Sequence, residues 1–399
     1  MPSLLTESNL QKKVSSRLVG PFNSMTTFFF RKSVEKAFQL DEPPTGLHLD
    51  PKKPLDASGS APYITSCVDD VMFIVNKVLQ RVIATSQRAV VAGVVPPIGR
   101  VLGSDFVGMI QRKMRDESYP KAVIQGGYPP EEKIVAFLVL INNLDVATDY
   151  IARIVSSHTS PPESATAPTL SDLYPFQQDA TFVQTTISSL HTSFLSKTSE
   201  LIADGLHVAF DRVVKPRLRP IFADAFRDAD YLLSDEDLGV GSAGDMQDED
   251  TSSSPVAARF QSAWEALMRP ISLLLTPQNY TKLLSSTVTY LANKLLEKRL
   301  WGLHGKINEL GAVRLERDVA GVVAAVMRGG KGGGYALREK FARCTQICWV
   351  VNMEADEWED LDKNRGVGKN DDDDDEGVDW TLDAWERARA RAMLVVSQD

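Results

Sequence analysis

A chain of 399 residues, 43% of them hydrophobic, is long enough to bury one or two sizeable cores, which excludes a wholly disordered protein. The formal net charge of −9 arises from 53 acidic and 44 basic residues, and the acids are concentrated near 234–250 and 354–379. Lysine and arginine are scattered along the sequence without the clustered stripe that nucleic-acid binding requires, so no nucleic-acid partner is expected.

The cysteines and the apolar segments indicate the compartment. Cys67, Cys344 and Cys348 are too few for a secreted disulfide framework, which favours a reducing compartment and buried, inert thiols. Residues 1–20 lack the apolar stretch and small-residue cleavage site of a signal peptide. The longest apolar run, 134–141, is far shorter than the roughly 20 residues that span a bilayer. We therefore expect no transmembrane segment.

The first half of the chain predicts helices separated by loops. Apolar residues at near-helical spacing predict a helix over 22–40, and the Pro and Gly cluster at 41–62 ends it. From Ile64 to Val82 the apolar positions recur every three or four residues, which predicts a second helix with one apolar face. Further helices are predicted over 101–114 and 130–154.

The second half continues the helical pattern. A Ser, Thr and Pro rich loop at 156–175 precedes a long helix that begins near Gln177 and is interrupted by Pro216 and Pro220. Shorter segments follow it. They are predicted helices over 260–271, 284–295, 337–353 and 382–396, and one that follows a turn at 311–315 and runs through Val326. Breaks are predicted at 328–334 and at the solvated acidic block 371–376.

These segments predict an all-α fold, an elongated rod of stacked antiparallel helical bundles with disordered acidic loops. The expected divisions are 1–60 (an N-terminal helix and Pro/Gly linker that end an upstream bundle), 61–234 (a helical bundle), 235–255 (a disordered acidic loop) and 256–399 (a C-terminal bundle with a disordered acidic insertion near 360–379).

No motif predicts catalysis. The glycine-rich run Gly329–Gly334 lacks the Gly-Lys-Ser/Thr ending of a phosphate-binding loop, and no strand precedes it. No Gly-x-Ser-x-Gly motif occurs. The five histidines are scattered, and Cys344 and Cys348 lie on a helical face with apolar neighbours, which favours a core stripe over metal binding. We predict no enzyme, no cofactor and no metal site.

The aromatic cluster Phe28–Phe30 leaves two interpretations. Beside Arg31, Lys32 and Lys36 it resembles an amphipathic segment that touches a membrane. Continuation of the spacing into Val34 and Phe38 favours packing against another helix.

Several segments resemble, in family order, the C-terminal half of subunit 4 of the conserved oligomeric Golgi complex. They are Phe28–Ala37, Thr65–Val75, Phe137–Val146, Lys215-Pro216, Leu310–Ala312 and Arg338–Arg343. The most specific are Ser-Cys-Val-Asp-Asp-Val and Leu-Val-Leu-Ile-Asn-Asn. The resemblance implies a structural subunit of a Golgi vesicle tether in retrograde transport, peripheral on the cytosolic face of the Golgi membrane. Its implied partners are the other subunits of that complex and, through an upstream half about as long as this chain, Golgi SNAREs and their regulators.

The resemblance also implies one site. Arg343 and Glu386 match family positions expected to form an ion pair between the last helices, against the alternative of two solvated surface charges. Two other functions stay open: a subunit of a related helical tether of the exocyst type, and a helical metal-binding bundle, for which the chain lacks the Glu-x-x-His spacing.

Overall fold

A computed structural model describes residues 9–53, 55, 60–160, 168–176, 178–233, 254–328, 334–363 and 379–395. These residues form helices and connecting loops, and the one β-bridge among them joins Ile307 to Leu394. The all-α prediction is confirmed. The predicted acidic loops and glycine-rich run fall mostly at 234–253, 329–333 and 364–378, outside the described residues.

The helices are joined by connections of different lengths, and the one between Gln39 and Ser66 has 26 residues. They are α1 Leu10–Val14, α2 Gly20–Gln39, α3 Ser66–Ala84, α4 Arg88–Val101, α5 Val107–Arg112, α6 Glu131–Thr159, α7 Leu170–Leu173, α8 Asp179–Ala209, α9 Lys215–Ala225, α10 Pro255–Leu274, α11 Pro277–Tyr290, α12 Glu297–Trp301, α13 Glu309–Arg328, α14 Gly334–Glu339, α15 Ala342–Asn352, α16 Ala355–Lys363 and α17 Ala384–Arg391. Wider π-helical turns occupy Ser15–Val19, Leu102–Phe106, Lys113–Glu117, Phe210–Val214 and Leu291–Leu296.

The chain forms two compact units that differ from the predicted divisions. Unit one is Met1–Val213 with Ile271–Tyr280, and unit two is Val214–Pro270 with Thr281–Asp399. The helix α2, which the sequence predicted over 22–40, packs on α3 and α4 within unit one. The boundary depends on packing partners distant in sequence, which loop composition does not reveal.

Helix α6 is the centre of unit one. It packs against α3 and α8, and every residue from Phe137 to Thr148 is buried. A helix that is buried on all sides is typical of a core position. The second strong amphipathic pattern, that of α3, buries Cys67, Val71 and Val75 as its spacing predicts.

Proline and glycine account for two differences from the predicted helices. Pro216 does not interrupt the helical chain, because it follows the π-helical turn Phe210–Val214, where the regular i to i−4 bonding is already displaced. Gly311 is not a turn but lies in the first turn of α13. A Cβ atom there would stand 1.8 Å from the carbonyl oxygen of Tyr231, so only glycine allows this approach.

Other boundaries also shift. The predicted helix over 337–353 is split into α14 and α15, and α16 and the region of α4 before residue 101 were not predicted. The pair Pro96-Pro97 obscured α4 in the sequence, although both prolines lie inside it. In unit two, α15 packs between α13 and α17 and also contacts α12.

Candidate functional site

Arg343 lies in the first turn of α15 and contacts the helix that ends the described chain. Its Nη2 is 2.5 Å from Glu386 Oε1, and its Nη1 is 3.2 Å from Glu386 Oε2. This is the forked, two-point geometry in which guanidinium and carboxylate match best. The structure thus brings the two predicted site residues together.

Glu297, at the first position of α12, is a third member that the sequence did not predict. Its Oε1 accepts hydrogen bonds from Arg343 Nε at 3.0 Å and from Arg343 Nη2 at 2.8 Å. The side chains of Glu297 and Glu386 are only 14% and 21% exposed, against 33% for Arg343. One guanidinium therefore neutralises two half-buried carboxylates from two different helices.

Glu386 also closes the N-terminus of α17. Its backbone N–H donates to Asp383 Oδ1 at 2.7 Å, and its Oε2 accepts from the Asp383 N–H at 3.0 Å, which forms a capping box. Hydrogen bonding from Arg343 lowers the pKa of the Glu386 carboxyl below its ordinary value. Hydrogen bonds to Glu386 and Glu297 raise the pKa of the Arg343 guanidinium, so Arg343 and Glu386 both stay ionised.

The segment before α17 is held by a second residue of α15. Gln346 Oε1 accepts from the backbone N–H groups of Thr381 and Leu382, and its Nε2 donates to the carbonyl of Asp379 at 2.8 Å. Nearby, the rings of Trp349 and Trp380 stack with centroids 5.0 Å apart. Residues 379–382 are therefore fixed to α15 by both hydrogen bonds and ring contact.

The end of the described chain is fixed as well. Val395 N–H donates to the carbonyl of Ile307 at 2.8 Å, and Arg391 Nη1 donates to the carbonyl of Met353. The guanidinium of Arg389 lies 4.5 Å from the ring centroid of Trp301. We name residues 379–395, α15 and Glu297 the C-terminal clamp.

Unit one contains a buried polar cluster around the two adjacent asparagines of α6. Asn142 Nδ2 donates to the carbonyls of Tyr63 and Leu274, and its Oδ1 accepts from Thr276 N–H. Asn143 Oδ1 accepts from Thr65 N–H at 3.0 Å, and its Nδ2 donates to Thr65 Oγ1 at 3.0 Å. Asn143 thus joins two segments of the sequence resemblance, Thr65–Val75 and Phe137–Val146, and both side-chain amides have hydrogen-bond partners.

Asp41 extends this cluster. Its side chain is 4% exposed, lies 2.6 Å from Lys113 Nζ and accepts from Cys67 N–H at 3.1 Å. Burial raises the pKa of Asp41, but hydrogen bonds from Lys113, Thr65 and Cys67 outweigh it and leave the pKa below its ordinary value. The carboxylate stays charged and ties the loop after α2 to α3 and to Lys113.

The groups with potential reactivity include three cysteine thiols, all of them buried. Burial raises the pKa of Cys67 and of Cys344 to about 12 and raises that of Cys348 as well, which keeps these thiols protonated and unreactive. In the part of the chain that the structure describes, no three His, Cys, Asp or Glu side chains converge as metal ligands would.

The aromatic cluster Phe28–Phe30 was interpreted from sequence either as a membrane contact or as a packing face, and its residues differ in burial. Phe30 and Val34 are fully or nearly fully buried against neighbouring helices, whereas Phe28 and Phe29 are 65% and 53% exposed. The packing interpretation therefore accounts for one face of α2 only.

Within the described ranges, two helical stretches are long and apolar enough to cross a membrane by length and composition, Arg88–Glu117 and Glu131–Thr159. The apolar window of the second is 83% buried inside the structure. Core helices of bundles meet the same two criteria.

Two family models match the sequence. Residues 137–389 match the C-terminal region of conserved oligomeric Golgi complex subunit 4, and residues 1–114 match the middle α-helical bundle of the same transport protein. Relatives described as subunit 4 of that complex include those of Arabidopsis thaliana (24% identical over 82% of this chain), Saccharomyces cerevisiae (28% over 66%) and Homo sapiens (22% over 84%). The chain spans 39%, 31% and 41% of these relatives.

A solved structure shares the fold. The crystal structure of the C-terminal domain of the exocyst subunit Sec6p superposes with a TM-score of 0.56 at 11% sequence identity, over 88% of this chain and 82% of that one.

Proposed function

The chain belongs to the family of conserved oligomeric Golgi complex subunit 4, and on that premise we propose that it is a structural subunit of the Golgi vesicle-tethering complex. It acts in retrograde vesicle transport within the Golgi through protein–protein contacts. Its place is the cytosolic face of the Golgi membrane, to which it is peripheral. The observation that carries the proposal is the family match over residues 137–389.

The geometry supports a scaffold rather than a catalyst. The charged residues of the C-terminal clamp bind one another, and the buried side-chain amide of Asn142 in unit one binds backbone groups. Such networks fix helices and loops in one arrangement, because breaking them leaves charged or polar groups buried without partners. A rigid helical surface of this kind suits the recognition of other subunits.

The partners follow from the family. They are other subunits of the conserved oligomeric Golgi complex, and the region that longer relatives carry upstream is the expected contact for Golgi SNAREs and their regulators. We further propose that the Arg343–Glu386 pair is a structural ion pair that holds the last helix in place. The family match and the low identity to Sec6p favour the Golgi complex over the exocyst.

The test is co-purification. The tagged chain, and a longer version joined to the upstream region of a relative, are expressed in eukaryotic cells, and the bound proteins are identified by mass spectrometry. Subunits of the conserved oligomeric Golgi complex should be enriched over a tagged unrelated helical protein. Enrichment of exocyst subunits instead, or of neither complex by either version, would contradict the proposal.

A further inference from the structure

Of the residues that the structure describes, six cationic side chains and no carboxylate line a groove in unit two. Its volume is about 1080 Å³. The cations come from α9, from the helical stretch 291–301 that packs beside it, and from the loop after that stretch. They are Lys215, Arg219, Lys294, Lys298, Arg299 and Lys306. We name this the basic groove. Residues scattered in sequence thus form a single cluster in space, although the protein carries a net charge of −9.

The cations of the basic groove lie close to like charges. Lys215 and Arg219 are four residues apart on one helix, and Lys294 and Lys298 are four apart on the neighbouring stretch. Like charges at this spacing destabilise a helix. Five of these cations have no carboxylate within 4 Å among the described residues. They are Arg219, Lys294, Lys298, Arg299 and Lys306. An anion bound in the groove would relieve this repulsion.

Part of the groove is held ready for a ligand. Arg219 Nε donates to Tyr290 Oη at 2.6 Å, and no other hydrogen bond occupies the guanidinium among the described residues. The Arg299 guanidinium lies 4.6 Å from the ring centroid of Phe226, and its Nη2 donates to the Phe226 carbonyl. Two guanidinium groups are therefore fixed by aromatic neighbours, which reduces the entropy lost on binding.

The donor set favours phosphate over a peptide. Lysine and arginine side chains only donate hydrogen bonds, and the Tyr290 hydroxyl is the one side-chain acceptor among the lining residues. The N–H groups of an acidic peptide would find almost no side-chain acceptors there. A phosphomonoester carries a charge of about −1.5 to −2 and offers only acceptors, and the planar guanidinium group matches it at two points.

We propose that the basic groove binds the phosphorylated headgroup of an anionic lipid on a membrane surface. The groove is concave. It therefore fits a headgroup that projects from the bilayer, and it does not match the flat surface of a weakly charged bilayer. The assignment goes beyond the proposed tethering function, because it gives the chain a direct contact with lipid in addition to its protein partners.

Vesicle sedimentation tests the proposal on the full chain. Vesicles contain phosphatidylcholine alone, phosphatidylcholine with about 5 mol% phosphatidylinositol 4-phosphate, or phosphatidylcholine with enough phosphatidylserine to give the same surface charge. We expect the strongest binding to the phosphoinositide vesicles and its loss in high salt. Equal binding to both anionic vesicles, or none to either, would overturn the assignment.

Charge-reversal variants locate the site. Each basic charge near an anionic surface is worth about fivefold in affinity, so Arg219→Glu with Lys306→Glu should weaken binding by at least about 25-fold. The control, Lys282→Glu with Arg317→Glu, makes the same change in net charge at exposed positions outside the groove and should retain most of the binding. Equal losses in the two variants would refute the location.

Two further arms complete the test. Lys294→Gln with Lys298→Gln leaves Arg219 in place, so it should weaken binding even if the first variant misfolds; circular dichroism checks the helical content of each variant. Soluble inositol trisphosphate should compete with the vesicles, since it presents the same phosphomonoester groups. Binding of a poly-glutamate peptide without any binding of vesicles would assign the groove to a protein partner and contradict the proposal.

Discussion

Replacing Arg343 with methionine removes the cation that forms ion pairs with both Glu297 and Glu386 in the C-terminal clamp. The methionine keeps much of the aliphatic length but leaves two half-buried carboxylates without the group that neutralises them. Breaking a buried ion pair costs about 3 to 5 kcal/mol. Because Arg343 is 33% exposed, solvent screening reduces the expected loss to about 2 to 3 kcal/mol.

Thermal unfolding followed by circular dichroism measures this loss. For a unit of this size, a destabilisation of 2 to 3 kcal/mol lowers the midpoint by about 5 to 10 °C. Arg343→Lys retains the charge but not the forked geometry, so its midpoint should lie between those of the wild type and the methionine variant. Arg338→Met, at an exposed position four residues before the start of α15, is the matched control and should unfold at the wild-type temperature. Equal midpoints for Arg343→Met and this control would refute the reasoning.

The same comparison predicts a pH dependence. The pKa of Glu386 is lowered in the folded chain, so its carboxylate contributes stability above the ordinary glutamate value of 4.5. That contribution is lost as the pH falls from this value through the lowered pKa. The difference in stability between the wild type and Arg343→Met should therefore be full at neutral pH and shrink below about pH 4.5. A difference that grows on acidification would contradict the ion-pair account.

Three further predictions follow from the packing. Gly311→Ala forces a Cβ atom against a backbone carbonyl and should cost about 3 kcal/mol in denaturant unfolding, whereas Gly334→Ala meets no atom within 4 Å and should be neutral or slightly stabilising. Asn142→Ala leaves three backbone groups without their hydrogen-bond partner and should lower the free energy of unfolding by about 3 kcal/mol. The exposed Asn293→Ala should change it little, and equal losses for the two variants would refute the network. With its pKa raised to about 12, Cys344 should resist alkylation at pH 8 until the chain unfolds, and rapid labelling of the native protein would contradict its burial.

Helical periodicity predicted most of the fold because most of the long helices bury one face in a regular pattern. The helix α3 is the clearest case, since its apolar residues three and four apart are the ones buried. Helical periodicity gave wrong helix boundaries where proline or glycine lies inside a helix. Pro96-Pro97 inside α4 and Gly311 inside α13 look like breaks in the sequence, yet the tertiary packing accommodates both.

Part of the candidate site was accessible from sequence, and part was not. Arg343 and Glu386 were expected through resemblance to the family, and the structure brings them together. Glu297 lies 46 residues before Arg343 in the chain, and no local pattern links the two. The basic groove was not predicted from sequence for the same reason. Its cations come from separate segments and cluster only after folding.

Replacement of the matching region of the Saccharomyces cerevisiae relative by this chain tests the central claim most directly. The chimera is expressed in cells that lack their own subunit 4, and a fluorescent enzyme that recycles within the Golgi reports on retrograde transport. If the chain is a structural subunit of the Golgi tether, the chimera should assemble with the other subunits and keep the reporter in the Golgi. A stable chimera that assembles with none of them and leaves the reporter as mislocalised as in the deletion strain would contradict the account.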